Sequence, residues 1–287
     1  MALKPQRASE YGVFETEQAR AACLHLATIL GDLASDVTVI GGLAPGLIVD
    51  QHSGAERHVG TADLDVALGI AVFDERRYAE IAARLRRHGF EPDRNEKGGT
   101  TPQRWRRAGV KITIDFLIAA QHAGVAPGSV KWLEDDFAAI GADGADLAFH
   151  DRVSVDLDGL TLDGALARRE VWVSGPGAFT VLKARAFHLR GERTDAYDLV
   201  YLLVNWPQGI VDIAARMVRL QAEDTFKVIA EAVANLGADF ATPDHNGPGS
   251  YARFLDAPSD AERVALQAQA YAYVADLLGH FDRTATV

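Results

Sequence analysis

The sequence predicts an α/β (α+β) chain, with a mixed sheet and flanking helices first and a mainly helical half after it. Three observations predict this. The β-like run at 36–40 ends in Gly41-Gly42 and passes into a helix-like stretch, a strand–turn–helix pattern. The run Lys111-Ile112-Thr113-Ile114-Asp115-Phe116-Leu117-Ile118 alternates as a strand does, with Ile112, Ile114 and Phe116 on one face and Thr113, Asp115 and Leu117 on the other. Beyond about residue 176, apolar residues recur at helical spacing. A length of 287 residues suits two domains, and the expected division is 1–150 for the sheet half with its N-terminal helix and 151–287 for the helical half.

The elements follow in order. Ala19, Ala22, Cys23, Leu26, Ile29, Leu30 and Leu33 make one face of a helix over 15–34. A strand at 36–40 and a helix at 43–52 come next, then a loop from His52 to Gly60 and a strand at 62–69. Tyr78, Ile81, Ala82 and Leu85 define the inner face of a helix over 74–88. Gly98-Gly99-Thr100-Thr101-Pro102 is a turn between a strand near 90–96 and strands at 103–108 and 111–118. Residues 119–150 read as an acidic, loop-rich cover, and short strands are expected at 152–157, 160–163 and 170–173. Ser174-Gly175-Pro176 starts a helix, because proline is tolerated in the first turn. Helices are expected at 176–190, 194–204, 209–220 and 223–236, a Gly/Pro-rich loop at 237–250, and a last helix at 258–281.

Composition is that of a globular protein, with 48% hydrophobic and 24% charged residues. No apolar run approaches the ~20 residues that cross a bilayer, and the first residues lack the apolar core of a signal peptide, so a cytoplasmic protein is expected. The single cysteine, Cys23, excludes an internal disulfide within these residues and reads as a core residue. Net charge is −11, which disfavours a nucleic-acid partner, yet the charge is uneven. Residues 76–111 hold 11 Lys/Arg against 4 Asp/Glu, a local +7, and 134–163 hold 9 Asp/Glu against 1 Arg, a local −8. Within the basic stretch, Arg104-Trp105-Arg106-Arg107 places an aromatic among arginines, where it would stack on a base or else pack in the core.

Chemistry is suggested by the acids. Asp63 and Asp65 sit two apart on a strand and so share a face. Carboxylates brought together repel unless a cation joins them, and oxygen ligands of this kind suit Mg²⁺. Asp115 lies in the middle of the most apolar strand, where an acid is costly unless paired or bound to metal. If the two strands are neighbours, three carboxylates converge, enough for metal-assisted displacement at phosphorus.

Gly41-Gly42, Thr61-x-Asp63-x-Asp65 and a later strand acid, Asp115, together resemble the DNA polymerase beta nucleotidyltransferase superfamily. Downstream, Lys183 on a helix, then Arg190-Gly191-Glu192-Arg193, then Asp195-x-x-Asp198-Leu199, is similar to AbiEii-type nucleotidyltransferase toxins, and the likeness runs from about 36 to 204. The resemblance implies a nucleotidyltransferase-type sheet, and a nucleotide lying in a cleft between the halves. It implies Mg²⁺ bound by Asp63, Asp65 and Asp115, with Asp115 a metal ligand or a base for the incoming hydroxyl. It implies a nucleoside triphosphate, ATP among them, contacted by Gly41, Gly42, Thr61, Lys183 and Arg190, with Asp195 or Asp198 as the last acid. It further implies an RNA acceptor such as the 3′ end of tRNA and a separately encoded antitoxin partner. Many superfamily members carry serine where Gly42 stands, which leaves phosphate contacts here to backbone N–H groups. The alternatives are a nucleotidyltransferase acting on a small molecule or protein hydroxyl, and a nucleotide-binding protein without catalysis.

Overall fold

A computed structural model describes residues 5–49, 57–69 and 75–286. In chain order the elements are α1 (Val13–Leu30), β1 (Val37–Ile40), α2 (Ala44–Val49), β2 (Asp63–Leu68), α3 (Glu75–Arg87), β3 (Phe90–Arg94), β4 (Thr100–Arg107), β5 (Thr113–Ala119) and α4 (Ala120–Ala123). There follow β6 (Val130–Glu134), β7 (Phe137–Ala142), α5 (Leu147–His150), β8 (Arg152–Leu160) and β9 (Leu166–Ser174). The remainder is helical: α6 (Pro176–Arg190), α7 (Arg193–Asn205), α8 (Gly209–Leu220), α9 (Val228–Asp239), α10 (Asn246–Phe254) and α11 (Asp260–Ala285). The expected class, a mixed sheet with flanking helices and a helical C-terminal part, is the class observed.

The nine strands form one sheet with the path β3-β4-β5-β2-β1-β9-β8, and β7 joins β5 while carrying β6. β2 and β5 run parallel, and β1–β2, β4–β5, β3–β4, β6–β7 and β8–β9 are antiparallel. β2 occupies one edge of β5; β4 takes the first half of the other edge and β7 the second half. The central strands are buried on both faces: all of Val37–Ile40, Thr38 included, and the apolar run Val66–Leu68 are buried. Leu64, Val66, Ile114, Phe116, Ile118, Trp105 and Phe137 are the heart of this core. The α1 helix buries Ala19, Ala22, Cys23, Leu26 and Leu30, the face expected from its spacing. Burial pushes the Cys23 thiol up to about 12, as an inert core residue should behave.

The chain divides into two compact units. The sheet unit comprises Gly12–Ala44 and Gly60–Ser174, and the helical unit the described residues of Lys4–Tyr11, Pro45–Val59 and Gly175–Val287. The division therefore falls after Ser174 rather than after 150, because β9 pairs with β1 and carries β8 into the sheet. In the helical unit α6 packs on α7, α8 and α9, and α11 packs on α8 and α10.

Four expectations need correction. The stretch 119–150 is not a loop-rich cover: Phe137, Ala138 and Ala139 are buried and β7 extends the sheet, with Asp135, Asp136, Asp143 and Asp146 in turns around it. The three short strands expected at 152–173 are one long hairpin, β8–β9. The helix expected at 43–52 is a 3₁₀ turn at Gly41–Leu43 and a six-residue α2, and its expected end lies outside the described residues. The Gly/Pro-rich loop at 237–250 contains the start of α10. Pro248 sits in that helix's first turn, where no N–H is missed, and Gly247 is needed because a Cβ there would lie 2.5 Å from the Phe240 ring.

Candidate functional site

Strand register builds the first group of residues. Asp65 lies directly opposite Asp115 across the parallel β2–β5 pair, and Asp63 lies opposite Thr113. Two residues apart on β2, Asp63 and Asp65 face the same side, and Asp115 faces it from the neighbouring strand. One oxygen from each of the three carboxylates lies within 4.8 Å of the other two. Asp115 is buried, and Asp63 and Asp65 are half-buried. The all-oxygen donor set and its spacing fit a hard divalent cation such as Mg²⁺.

Gly41 makes room for this group. On the other edge of β2, Ile40 is the partner of Asp65, so Gly41 leaves the strand beside that carboxylate. Its φ is +69°, and a Cβ there would stand 2.0 Å from Asp65 Oδ2. Glycine is thus demanded twice, by backbone conformation and by the carboxylate packed against it. Thr61 Oγ1 donates to Asp63 Oδ1 at 2.9 Å and fixes that rotamer.

Sequence reasoning missed the countercharge. Arg104 on β4 pairs with Asp115 across the antiparallel ladder, and its guanidinium donates to both carboxylate oxygens, at 2.6 and 2.5 Å. The hydrogen bonds to Asp115 hold Arg104 well above its ordinary pKa, against its own burial, and the charges of Asp63 and Asp65 add to this. The signal was legible in the alternation Arg104-Trp105-Arg106 on a strand adjacent to Asp115. Trp105 itself is fully buried, its Nε1 donating to the Pro102 carbonyl at 3.1 Å, so it is a core residue and stacks on no base.

The wider basic stretch is matched by acids. Arg77 pairs with Asp36, Arg84 with Asp32 and Glu80, Arg86 with Asp136, Arg106 with Glu91 and Asp93, and Arg107 with Asp163. Asp136 and Asp163 come from the acidic stretch, so the two oppositely charged segments partly neutralise each other.

The second group lies in the helical unit. Gly191, at φ +66°, ends α6 in a left-handed cap, and the chain turns into α7. This sets Lys183 of α6 against the first turns of α7: its Nζ is 3.0 Å from Asp195 Oδ1 and 2.6 Å from Asp198 Oδ2. Arg190 grips Asp195 with two bonds, at 2.6 and 2.7 Å. His58, in a segment read as loop, places Nε2 2.9 Å from Asp198 Oδ1 between the rings of Tyr197 and Tyr201. Burial alone would lower the Lys183 pKa, but Asp198 and Asp195 outweigh it and hold it raised. Burial would likewise raise both acids, yet Lys183 and their hydrogen-bond donors keep them below the usual carboxylate range, Asp195 at about 2. Lys183 is thus engaged by two buried acids, and both Asp195 and Asp198 serve that ion pair.

No family model and no curated protein matches the chain. Among solved structures, the crystal structure of JHP933 from Helicobacter pylori is similar over 96% of this chain and 97% of that one, at 11% identity and a TM-score of 0.39. Among the described residues no helix is long and apolar enough to cross a membrane.

Proposed function

We propose that this chain is a Mg²⁺-dependent nucleotidyltransferase of the AbiEii-like kind, with Asp63, Asp65 and Asp115 as its metal-holding acids. The observation that carries the reading is the convergence of these three carboxylates on adjacent parallel strands, within 4.8 Å, beside a glycine whose Cβ would strike one of them. Mg²⁺ bound there would neutralise charge on a triphosphate and on the oxygens that enter and leave the α-phosphorus. Asp63 is oriented for this by Thr61, and Asp65 by the space left at Gly41. In the reaction an acceptor hydroxyl gives up its proton to water as its oxygen bonds to the α-phosphorus, the bond to the bridging oxygen breaks, and pyrophosphate departs with that electron pair. Arg104 already occupies both oxygens of Asp115, which favours a ligand role for Asp115 over that of a base competing for the hydroxyl proton. Lys183 enters the proposal as a structural cation, since both Asp195 and Asp198 hold it. An RNA 3′ end as acceptor, and toxicity restrained by an antitoxin, are carried from the sequence resemblance.

Label transfer from each α-³²P nucleotide to total RNA, with Mg²⁺, tests the whole reading. The wild type is expected to label RNA and Asp65→Asn to lose at least ~100-fold of that rate, in keeping with loss of charge stabilisation at the reacting centre. Transfer to another acceptor pool would keep the chemistry and remove the RNA. The Arg104–Asp115 pair supports a second reading, a protein that binds nucleotide and does not turn it over. Nucleotide binding with no transfer to any pool would select it.

A further inference from the structure

The sheet unit holds a second convergence of ligand-type side chains, built from His25 on α1, His88 just after α3, and Asp163 in the turn between β8 and β9. One donor atom from each lies within 4.8 Å of the others. His25 is 2% exposed, and neither of its ring nitrogens has a hydrogen-bond partner. An imidazole placed so is costly, because both nitrogens have given up water and gained nothing. The nearest acceptor, Asp163 Oδ2, is 3.8 Å from Nδ1, too far for a hydrogen bond but well placed for a shared ion. The His88 ring meets the His25 ring edge-on at 6.0 Å between centroids, and Phe90 closes the apolar side at 5.8 Å.

We propose that His25, His88 and Asp163 form a site for a transition-metal dication, Zn²⁺ by the chemistry of its donors. Two imidazole nitrogens and one carboxylate are a zinc donor set, and three protein ligands leave one position for water. His88 and Asp163 are exposed, which gives that position to solvent. Arg107 binds Asp163 through the other carboxylate oxygen, Oδ1, and so orients the carboxylate with Oδ2 towards His25, the part an outer partner plays at metal sites. Burial first of all, then Arg107 and His88, lowers the His25 pKa against the pull of Asp163. A metal here would tie a helix, a helix end and a hairpin turn that are distant in sequence. The site shares no residue with the carboxylate triad and does not depend on its function.

Titration of EDTA-treated full-length protein with Co²⁺, under excess Mg²⁺ to occupy the triad, tests this. The wild type is expected to bind a single equivalent with visible d–d absorption, and Zn²⁺ to displace it and raise Tm. His88→Ala removes an exposed side chain and leaves the core intact; it is expected to weaken Co²⁺ binding at least ~10-fold and abolish the Tm rise. Asp163→Asn should weaken it likewise, and Asp65→Asn should leave it unchanged. Absence of Co²⁺ binding to the wild type, equal binding by His88→Ala, or loss of binding in Asp65→Asn instead would each overturn the proposal.

Discussion

Arg104 is the residue on which the carboxylate triad depends before any cation arrives. Three acids on two adjacent strands repel one another, and a bidentate guanidinium on the third strand offsets that charge. Removing one member of such a partly buried group leaves uncompensated charge and typically costs about 3–5 kcal/mol. Arg104→Met keeps the aliphatic stem and deletes the charge. In EDTA its urea unfolding is expected to show a loss of about 3 kcal/mol, the low end of that range because the arginine is partly exposed. Added Mg²⁺ should recover part of the loss, since a ligand that binds only the folded state stabilises it. Asp63→Asn, which removes a negative charge, should hold or raise stability in the same buffer. An Arg104→Met protein that unfolds at the wild-type midpoint in EDTA would mean that the acids do not strain one another and that the triad reading is wrong.

At the scale of elements, the α6–α7 hairpin is organised by charge inside an apolar bundle. Its pH dependence has a definite sign. Asp195 is lowered from 3.8 to about 2 and Asp198 is also lowered from 3.8, so their contribution is present above 3.8 and lost as pH falls towards 2. Lys183 is raised from 10.5, so its contribution is present below 10.5 and lost as pH climbs through its higher native value. These groups should therefore leave wild-type stability flat from about pH 5 to 8. Lys183→Met reverses this. Asp195 keeps Arg190 and Asp198 keeps His58, but two buried acids then face each other without the cation between them. Proton uptake by one of the two carboxylates relieves that state. The variant should lose about 3–5 kcal/mol at neutral pH and its Tm should rise between pH 7.5 and 5. A variant whose Tm falls over that interval, as acid-sensitive proteins do, would show that the pair is not mutually dependent.

At the scale of the whole molecule, the sequence revealed patterns that close within one element and hid those that need another. Alternation at 111–118 exposed β5, and the i, i+2 acids on β2 exposed the shared face, so the triad was legible once the two strands were taken as neighbours. Asp136 and Asp163 were read as an acidic segment because their arginine partners, Arg86 and Arg107, are far away in sequence. His25 is buried within the helix whose apolar face the spacing picked out without it, and α10 was hidden by glycine and proline that its first turn accommodates. The helical unit was hidden most, because the chain enters it three times, through the described residues of Lys4–Tyr11, Pro45–Val59 and Gly175–Val287. The first two entries bring Tyr11 to the Phe254 ring at 5.8 Å, His58 to Asp198, and the Val59 N–H to the Tyr197 hydroxyl at 3.0 Å. A fragment of residues 175–287 has all six long helices but lacks these partners, leaving Asp198 Oδ1 and the Tyr197 hydroxyl without them. Each buried polar group so orphaned costs about 1–3 kcal/mol, a large share of the 5–15 kcal/mol that holds a domain. The fragment should keep helical far-ultraviolet circular dichroism, lose near-ultraviolet signal from its tyrosines, and unfold over a broad guanidinium range. A sharp, fully cooperative transition in the fragment would show instead that the helices at 175–287 specify their own packing and that the two N-terminal segments only decorate it.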